Sequence, residues 1–583
     1  MRCDVAVARG RTRQSCRLQS VFTLDEAISA PMRRLLALVS LPLAFALPLA
    51  AQQQSFTRAD TLRGSNGPAR AWWDAAFYDL HVGISPADSS ISGWNGITYR
   101  VLEPAAEMQI DLQEPLVMDS IVQGGRRLDF RRDGNAFFVS LAEPQRAGEL
   151  RTVTAYYHGK PVAAVRPPWD GGFIWRRDSW GTQWVATANE GLGASVWWPN
   201  KDFGADEPDS QRVAITVPSR MTNVSNGRLR GVTPHPDGTT TFEWFVANPI
   251  NNYNISVNAG AYAYWTEELE GEDGTLTMDF WPLAENLEKA KAQWTQARTT
   301  LRCFEHWFGP YPWYEDGFKL IETPHLGMEH QSAVAYGNGY RNGYRGTDLS
   351  GTGIGLEWDF IIVHETAHEW WGNNISAKDH ADLWVHESFA NYAENIYTEC
   401  LTGDAEKGAA YVIGSRARIT NNVPIVGPYG VNGTGSGDMY YKGGSMLHTL
   451  RQLVDDDRKW REMLRGLNRT FRHQTVTGAQ VEEYLARESG LDLAAFFHQY
   501  LRTTMVPALE YRLDGSRLSY RWTDVVPGFD MPVRVTLKPG EYTLIEPTAE
   551  WQTVQVDLPG TGSFVLDPDF YATTRNADGG AGR

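Results

Sequence analysis

The sequence predicts a multidomain α+β protein, with an all-β N-terminal part, a mostly helical middle and a small β-rich C-terminal part. Three observations carry that reading. The chain has 583 residues, too many for one hydrophobic core, so several domains are required. Alternating β-branched and aromatic runs dominate up to about residue 283 and return after residue 505. Between them the apolar spacing changes to threes and fours, the period of a buried helical face.

The start of the chain is expected to be a leader. Met32-Arg33-Arg34 precedes an apolar run at 35–49, followed by Ala50, Ala51 and three glutamines. A basic head, about fifteen apolar residues and a small-residue end make a secretory signal peptide, whereas a membrane span needs about twenty. Residues 1–51 are read as this leader, effectively from Met32, and the protein as secreted or periplasmic. An uncleaved signal anchor is the rival reading. The mature chain has no clear transmembrane segment. Cys3 and Cys16 precede the signal, so the exported chain keeps Cys303 and Cys400. They either pair in an oxidising compartment or remain two buried thiols.

Residues 52–283 form the expected β domain, with strands such as "TVTAYYHGK", "RVAITVP" and "TTFEWFV" set between Gly, Pro, Asn and Asp. Residues 284–505 form the helical domain. Leu287, Ala290, Trp294, Ala297, Leu301 and Phe304 lie on one face of a single helix ended by Gly309. Two glycine-rich stretches interrupt the helices, with seven glycines in 337–355 and five in 427–438, and both are read as mobile loops. Residues 506–575 return to strands, enough for a small β-sandwich. The last stretch, 576–583, is expected to be disordered. The formal charge of −16 excludes a nucleic-acid partner, which would need a basic face. Five Asn-x-Ser/Thr triplets occur, at Asn223, Asn254, Asn374, Asn432 and Asn468. They are read as chance, since Asn374 falls beside the metal constellation.

That constellation is "HETAHEWWGNNISAKDHADLWVHESFANY". His364 and His368 are four apart, so on a helix both rings leave one face about one turn apart. Two such nitrogens can hold one zinc, and Glu365 stands beside them to reach a water without being a ligand. Loop signals at 373–379 let the chain reverse, and a second helix from about Leu383 returns Glu387 as third ligand. Three protein ligands leave one position open, the catalytic pattern. Glu394, seven residues on, is placed to accept from a ligand N–H, against a solvated glutamate as the plain alternative. His380 and His386 are rival ligands without a recurrent zinc spacing, and His386 is read as part of the pocket wall.

HExxH, 18 residues, then Glu resembles the signature of the gluzincin aminopeptidases, the family of aminopeptidase N and leukotriene hydrolase. Three further stretches extend the resemblance: "HLGMEH" at 325–330, "MYYKGG" at 439–444 and "ANEGLGASVWWPNKDFGADEPDS" at 188–210. It implies a saddle-like β-domain, a thermolysin-like zinc domain and a β-sandwich, without the large helical C-terminal domain of many relatives. It implies one Zn²⁺ per chain, Glu365 as general base, and Tyr440 as oxyanion donor, with Tyr441 the immediate rival. It implies peptide substrates with a free N-terminus, whose ammonium is held by Glu329 and Glu190. The backbone of Gly327, Met328 and Glu329 would lie beside the substrate. His330 stands where relatives have Asn and, when protonated, would weaken amine binding at low pH. Leu326, His386 and Ser388 also depart from the motifs. The competing readings are a zinc endopeptidase, a non-catalytic peptide-binding protein on a decayed peptidase fold, and epoxide hydrolysis as in one relative, which no residue here selects. Oligomeric state is not legible.

Overall fold

Alternation in the sequence becomes alternation in burial. Strand Trp73–Ser85 buries every second residue along much of its length. It pairs antiparallel with Ser90–Val101 and parallel with Ser210–Pro218, inside an eight-stranded sheet. A four-stranded sheet containing Gly172–Arg177 and Gln183–Ala188 adds Phe173 and Val185 to the same core. The structure, a computed structural model, describes residues 55–579. The leader, Cys3, Cys16 and residues 580–583 lie outside the described residues.

Polar side chains fix the irregular segment that follows Gln183–Ala188. The backbones of Asn200 and Asp111 bond to each other at 2.8 and 3.2 Å. Lys201 pairs with Asp206, and Asp202 accepts from Ser195 Oγ at 2.5 Å. All of these groups are buried, where an unpaired charge would be strongly unfavourable. These bonds hold the segment that follows Glu190 against the β domain.

The next sheet crosses the boundary expected at 283/284. Its five strands run in the order Trp265–Gly271, Gly274–Trp281, Phe318–Glu322, Val334–Tyr336, Gly327–Met328. Gly274–Trp281 pairs parallel with Phe318–Glu322, so the central domain takes two strands from the stretch assigned to the β domain. Alternation reveals that a strand exists, not what it pairs with. The short strand Gly327–Met328 forms one edge, antiparallel to Val334–Tyr336.

The helix expected to end at Gly309 is two helices, Leu287–Gln293 and Thr295–Phe308. They break at Trp294, whose buried ring packs against Trp265 and Tyr336. Thr295–Phe308 and Trp384–Thr402 are joined by a Cys303–Cys400 disulfide with Cα atoms 6.0 Å apart, which excludes the free-thiol alternative. Both glycine-rich stretches are irregular, and hydrogen bonds tie each to its surroundings. Asn338 Nδ2 donates to the carbonyls of Arg341 and Gly343 and to Asp359 Oδ1 at 2.7, 2.9 and 2.8 Å. In the second stretch, Gly430 N–H donates to Asp379 Oδ2 at 2.8 Å and Asn432 N–H to Asp60 O at 3.0 Å.

The C-terminal part has a four-stranded sheet centred on Ala508–Asp514 and Arg517–Thr523, and a hairpin of Val533–Lys538 with Glu541–Ile545. Strand Thr573–Asn576 runs parallel to Ala508–Asp514 and reaches into the expected tail. Its apolar residues merge with the helical core. Asn223, Asn254, Asn374 and Asn468 are buried, so those four triplets cannot carry glycans. Among the described residues, no helix is long and apolar enough to cross a membrane.

The helix that carries His364 spans Phe360–Ala367 and is capped by Asp359, which accepts from the N–H groups of Ile361 and Ile362 at 3.1 and 3.4 Å. The same buried carboxylate accepts from Tyr336 OH at 2.7 Å and Gln293 Nε2 at 2.8 Å. Asp359→Ala would orphan several buried donors at about 1–3 kcal/mol each. We expect at least about 2 kcal/mol of destabilisation in chemical denaturation; a change below about 0.5 kcal/mol would show that this cap does not hold the helix.

Candidate metal centre and active site

Two hydrogen bonds decide the protonation of the HExxH rings. His364 Nδ1 lies 2.9 Å from Glu394 Oε1, and His368 Nδ1 lies 2.8 Å from the Trp371 carbonyl. Both oxygens can only accept, so in the neutral rings each Nδ1 carries the proton and each Nε2 turns a lone pair inward. Those Nε2 atoms are 3.3 Å apart, and Glu387 Oε2 is 3.5 Å from each. Three acceptors thus converge with no donor between them. Glu387 Oε2 is buried and has no hydrogen-bond partner. A tetrahedral ion with ligand bonds of about 2.05 Å has ligand–ligand edges of about 3.3 Å. The donor set and its spacing therefore fit zinc, and His364, His368 and Glu387 would hold it.

The electrostatics match. Burial alone would raise the Glu387 pKa, but His368 and His364 outweigh it and hold this carboxyl well below its usual range. Burial disfavours charge on His364, yet Glu387 and Glu394 hold its pKa well above the histidine range. The ring pair thus takes up a proton where no cation is bound. Glu394 is fully buried and accepts also from Asn391 Nδ2 at 3.1 Å and Tyr411 OH at 2.8 Å. The solvated alternative for Glu394 is excluded. Nothing near Tyr411 in the sequence marks it for this task.

A cavity of about 310 Å³ opens on the triad. Glu365 lines it, and burial, reinforced by Glu329 and Glu387 against the two rings, lifts its pKa to about 8. Glu329 and Glu190 line the same cavity. Burial first, then Glu329, Glu387 and Glu365, push Glu190 well above the carboxylate range. Glu329 Oε1 accepts from Tyr253 OH at 2.9 Å, a partner 76 positions away that no motif indicated. Gly327 is demanded by proximity, since a Cβ there would sit 2.6 Å from Glu365 Oε1 and 2.9 Å from Ile361 Cγ2.

Tyr440 and Tyr441 both line the cavity. The Tyr440 ring lies 6.0 Å from the His364 ring. After burial, Glu387 is the strongest influence raising its pKa, whereas for Tyr441 it is Glu394. Tyr440 is therefore the tyrosine beside the triad. Helix Tyr441–Val454 approaches Trp384–Thr402 through glycines: Cβ atoms at Gly443 and Gly444 would meet Ser388 Oγ at 1.9 Å and Asn391 Oδ1 at 2.3 Å. Ser388 Oγ also donates to the Met439 carbonyl at 2.7 Å, which gives the departure at Ser388 a structural use.

Met328 and Leu326 line the cavity, but His330 does not. It is fully buried, its ring nitrogens have no partner among the described residues, and burial presses its pKa down to about 3. The expected role of His330 as a titrating group beside the amine is corrected, because a ring this desolvated stays neutral. His386 accepts from the Ala377 N–H at 2.8 Å. With His380 it lines a neighbouring cavity of about 330 Å³ that shares Glu190 with the first.

Residues 297–500 match the description "Peptidase family M1 domain". Aminopeptidase N of Lactobacillus helveticus is 22% identical over 460 residues, covering 74% of this chain and 51% of the relative. Probable aminopeptidase 2 of Sulfurisphaera tokodaii is 20% identical, covering 69% of this chain and 50% of the relative. The chain thus spans about half the length of these curated relatives. A mutant M1 zinc metallopeptidase from Deinococcus radiodurans shares the fold, with TM-score 0.65 and 21% identity over 76% of this chain and 98% of that one. The same enzyme has been solved with a Tyr-Ser-Ala substrate, at TM-score 0.62 and 21% identity over 74% of this chain and 94% of that one. The resemblance drawn from the motifs is met by domain, relatives and fold together. The matched M1 domain begins within helix Thr295–Phe308 and includes the triad and Tyr440.

Glu394→Ala should weaken zinc binding to this domain by about ten- to hundred-fold, read by competition with a chromophoric chelator. Because the metal-free His364 ring has a raised pKa, zinc must displace a proton, so affinity should climb as pH rises. An affinity indifferent to both changes would mean that the triad is not the metal site.

Proposed function

We propose that the chain is a zinc-dependent aminopeptidase that hydrolyses the N-terminal bond of peptides, with one Zn²⁺ per chain. The observation that carries the reading is the cluster of carboxylates beyond the triad. A zinc held by the triad would account for Glu387, and Glu365 would stand beside it to take a proton from water. It leaves Glu190 and Glu329 facing the same cavity, with Glu190 pushed towards its neutral form for want of a nearby cation. A substrate α-ammonium matches that deficit in charge and in donors.

Zinc, when bound, polarises the scissile carbonyl and acidifies water. Glu365 then accepts the proton of the attacking water and delivers it to the leaving amine. Its lifted pKa favours keeping that proton for the second half of the reaction. Tyr440, at the start of Tyr441–Val454, donates its O–H to the oxyanion developing on the carbonyl oxygen. Gly327–Met328, at the sheet edge, offers backbone groups to an extended peptide, and Met328 adds an apolar wall. The tripeptide bound by the Deinococcus enzyme supports a substrate of this kind. We read the 188–210 segment as the β-domain's contribution to the site, the two C-terminal sheets as a small sandwich, and the protein as exported, on the strength of the apolar run after Met32.

The test separates base from amine clamp. Glu365→Gln should lower kcat by at least about a hundred-fold with zinc retained, and a chelator should abolish turnover. Glu329→Ala should raise KM for free peptides while leaving N-acetylated peptides as poor as before. If the wild-type protein cleaves acetylated and free peptides equally fast, it is an endopeptidase and the clamp is misassigned. Tyr440→Phe should reduce kcat by about a hundred-fold; a similar loss in Tyr441→Phe instead would transfer the role to its neighbour.

A further inference from the structure

Glu369 directly follows His368, yet nothing in the proposed reaction uses it. It is fully buried and lines neither the triad cavity nor its neighbour. A buried carboxylate needs donors, and where they come from shows what it holds. The Ser332 N–H donates to both of its oxygens, Oε1 at 2.9 Å and Oε2 at 3.3 Å. Four positions on, the buried Asn373 donates from Nδ2 to the Glu329 carbonyl at 2.8 Å. Glu329 C=O and Ser332 N–H occupy the first and fourth positions that a turn would bond to each other. Here each is taken instead by a side chain from just beyond the metal helix.

Two features leave that segment in need of support. The edge strand Gly327–Met328 pairs only with Tyr336 and Ala335, so the ladder stops one residue before Glu329. Ser332 has a φ of 56°, a left-handed backbone that a serine adopts where its surroundings impose it. Further bonds come from the β domain. Gly227 N–H donates to Ser332 Oγ at 2.9 Å, and Asn254 Nδ2 donates to Asn373 Oδ1 at 2.8 Å. On the metal side, Asn373 N–H donates to the His368 carbonyl at 3.0 Å. Both arms therefore start from the chain segment of a triad residue and end on the backbone that carries Glu329.

An aminopeptidase holds the ammonium and the scissile carbonyl of one and the same residue. The substrate thus fixes the gap between clamp and metal, and an error of about 1 Å can cost about a hundred-fold. We infer that Glu369 and Asn373 are positioning residues that set this gap, holding the Glu329 segment to the chain beyond His368 so that a free α-ammonium is bound one residue from the metal. This rests on the aminopeptidase reading and adds to it the residues that fix its register. Neither side chain lines the triad cavity, so both act through Glu329.

The readout is binding to the zinc-loaded protein by titration calorimetry, with leucine hydroxamate and its N-acetyl form. Both chelate the metal, but only the first brings an ammonium, so the ratio of their Kd values reports the clamp alone. In the wild-type protein the acetylated compound should bind about ten-fold or more weakly, as for a hydrogen-bonded charge. Glu369→Leu and Asn373→Leu should each lower that ratio by at least about three-fold. Glu369→Gln, which keeps an acceptor for Ser332, should hold it within about two-fold of wild type. General damage to the fold or the metal site weakens both compounds alike and leaves the ratio unchanged. If Glu369→Leu does not fold, Asn373→Leu carries the test. A leucine variant that binds zinc and keeps the wild-type ratio overturns the proposal and leaves the aminopeptidase reading standing. A wild-type ratio near one removes the amine clamp, and this inference with it.

Discussion

Two Nδ1 hydrogen bonds govern the site. If His364 and His368 could turn, their lone pairs would not meet Glu387, and the 3.3 Å approach of the two Nε2 atoms would be relieved by rotation. Glu394 and the Trp371 carbonyl prevent this by taking each Nδ1 proton. Glu394 is itself fixed by Asn391 and Tyr411. The strain of three facing acceptors is thus maintained by surroundings that are fully satisfied, and it is relieved only by a cation or a proton. Orientation is built into the protein before any metal arrives.

The same logic extends outward through close packing. Glycines at 443 and 444 let one helix settle onto Ser388 and Asn391 of another, and this brings Tyr440 alongside His364. Gly327 does likewise for the sheet edge and Glu365. At each point the absence of a side chain sets a distance of a few ångströms between two functional groups. The disulfide between Thr295–Phe308 and Trp384–Thr402 ties the helix that bears Glu387 and Glu394 to the core behind it.

How much of this was legible beforehand follows from the range of each interaction. The i, i+4 histidines and the glutamate beyond an 18-residue gap lie within one helix–loop–helix, so local geometry reveals them. The glycines in "MYYKGG" and "HLGMEH" were visible as motif letters, but the groups they approach were not. Tyr253 and Tyr411 reach their carboxylates from 76 and 17 positions away, where spacing carries no signal. The sheet crossing residue 284 and the break at Trp294 were missed for a related reason: periodicity reports burial of a face, while pairing and helix breaks are decided by what lies opposite. His330 was misjudged because its neighbour Glu329 faces the cavity. Motif position does not say where each side chain turns: Leu326 to Glu329 line the cavity, while the next residue, His330, is buried outside it.

The carboxylates sort themselves by how many donors they already have. Glu394 has three, so it is structural. Glu329 has the Tyr253 hydroxyl. Among the described residues, Glu365 and Glu190 have no hydrogen-bond donor, and Glu387 faces the two rings. Burying carboxylates without donors is strongly unfavourable, and the pKa of Glu190 is lifted as a result. A fold keeps such groups only if something else supplies the missing positive charge. The three positions where donors are lacking are therefore the positions where ion, water and substrate complete the structure.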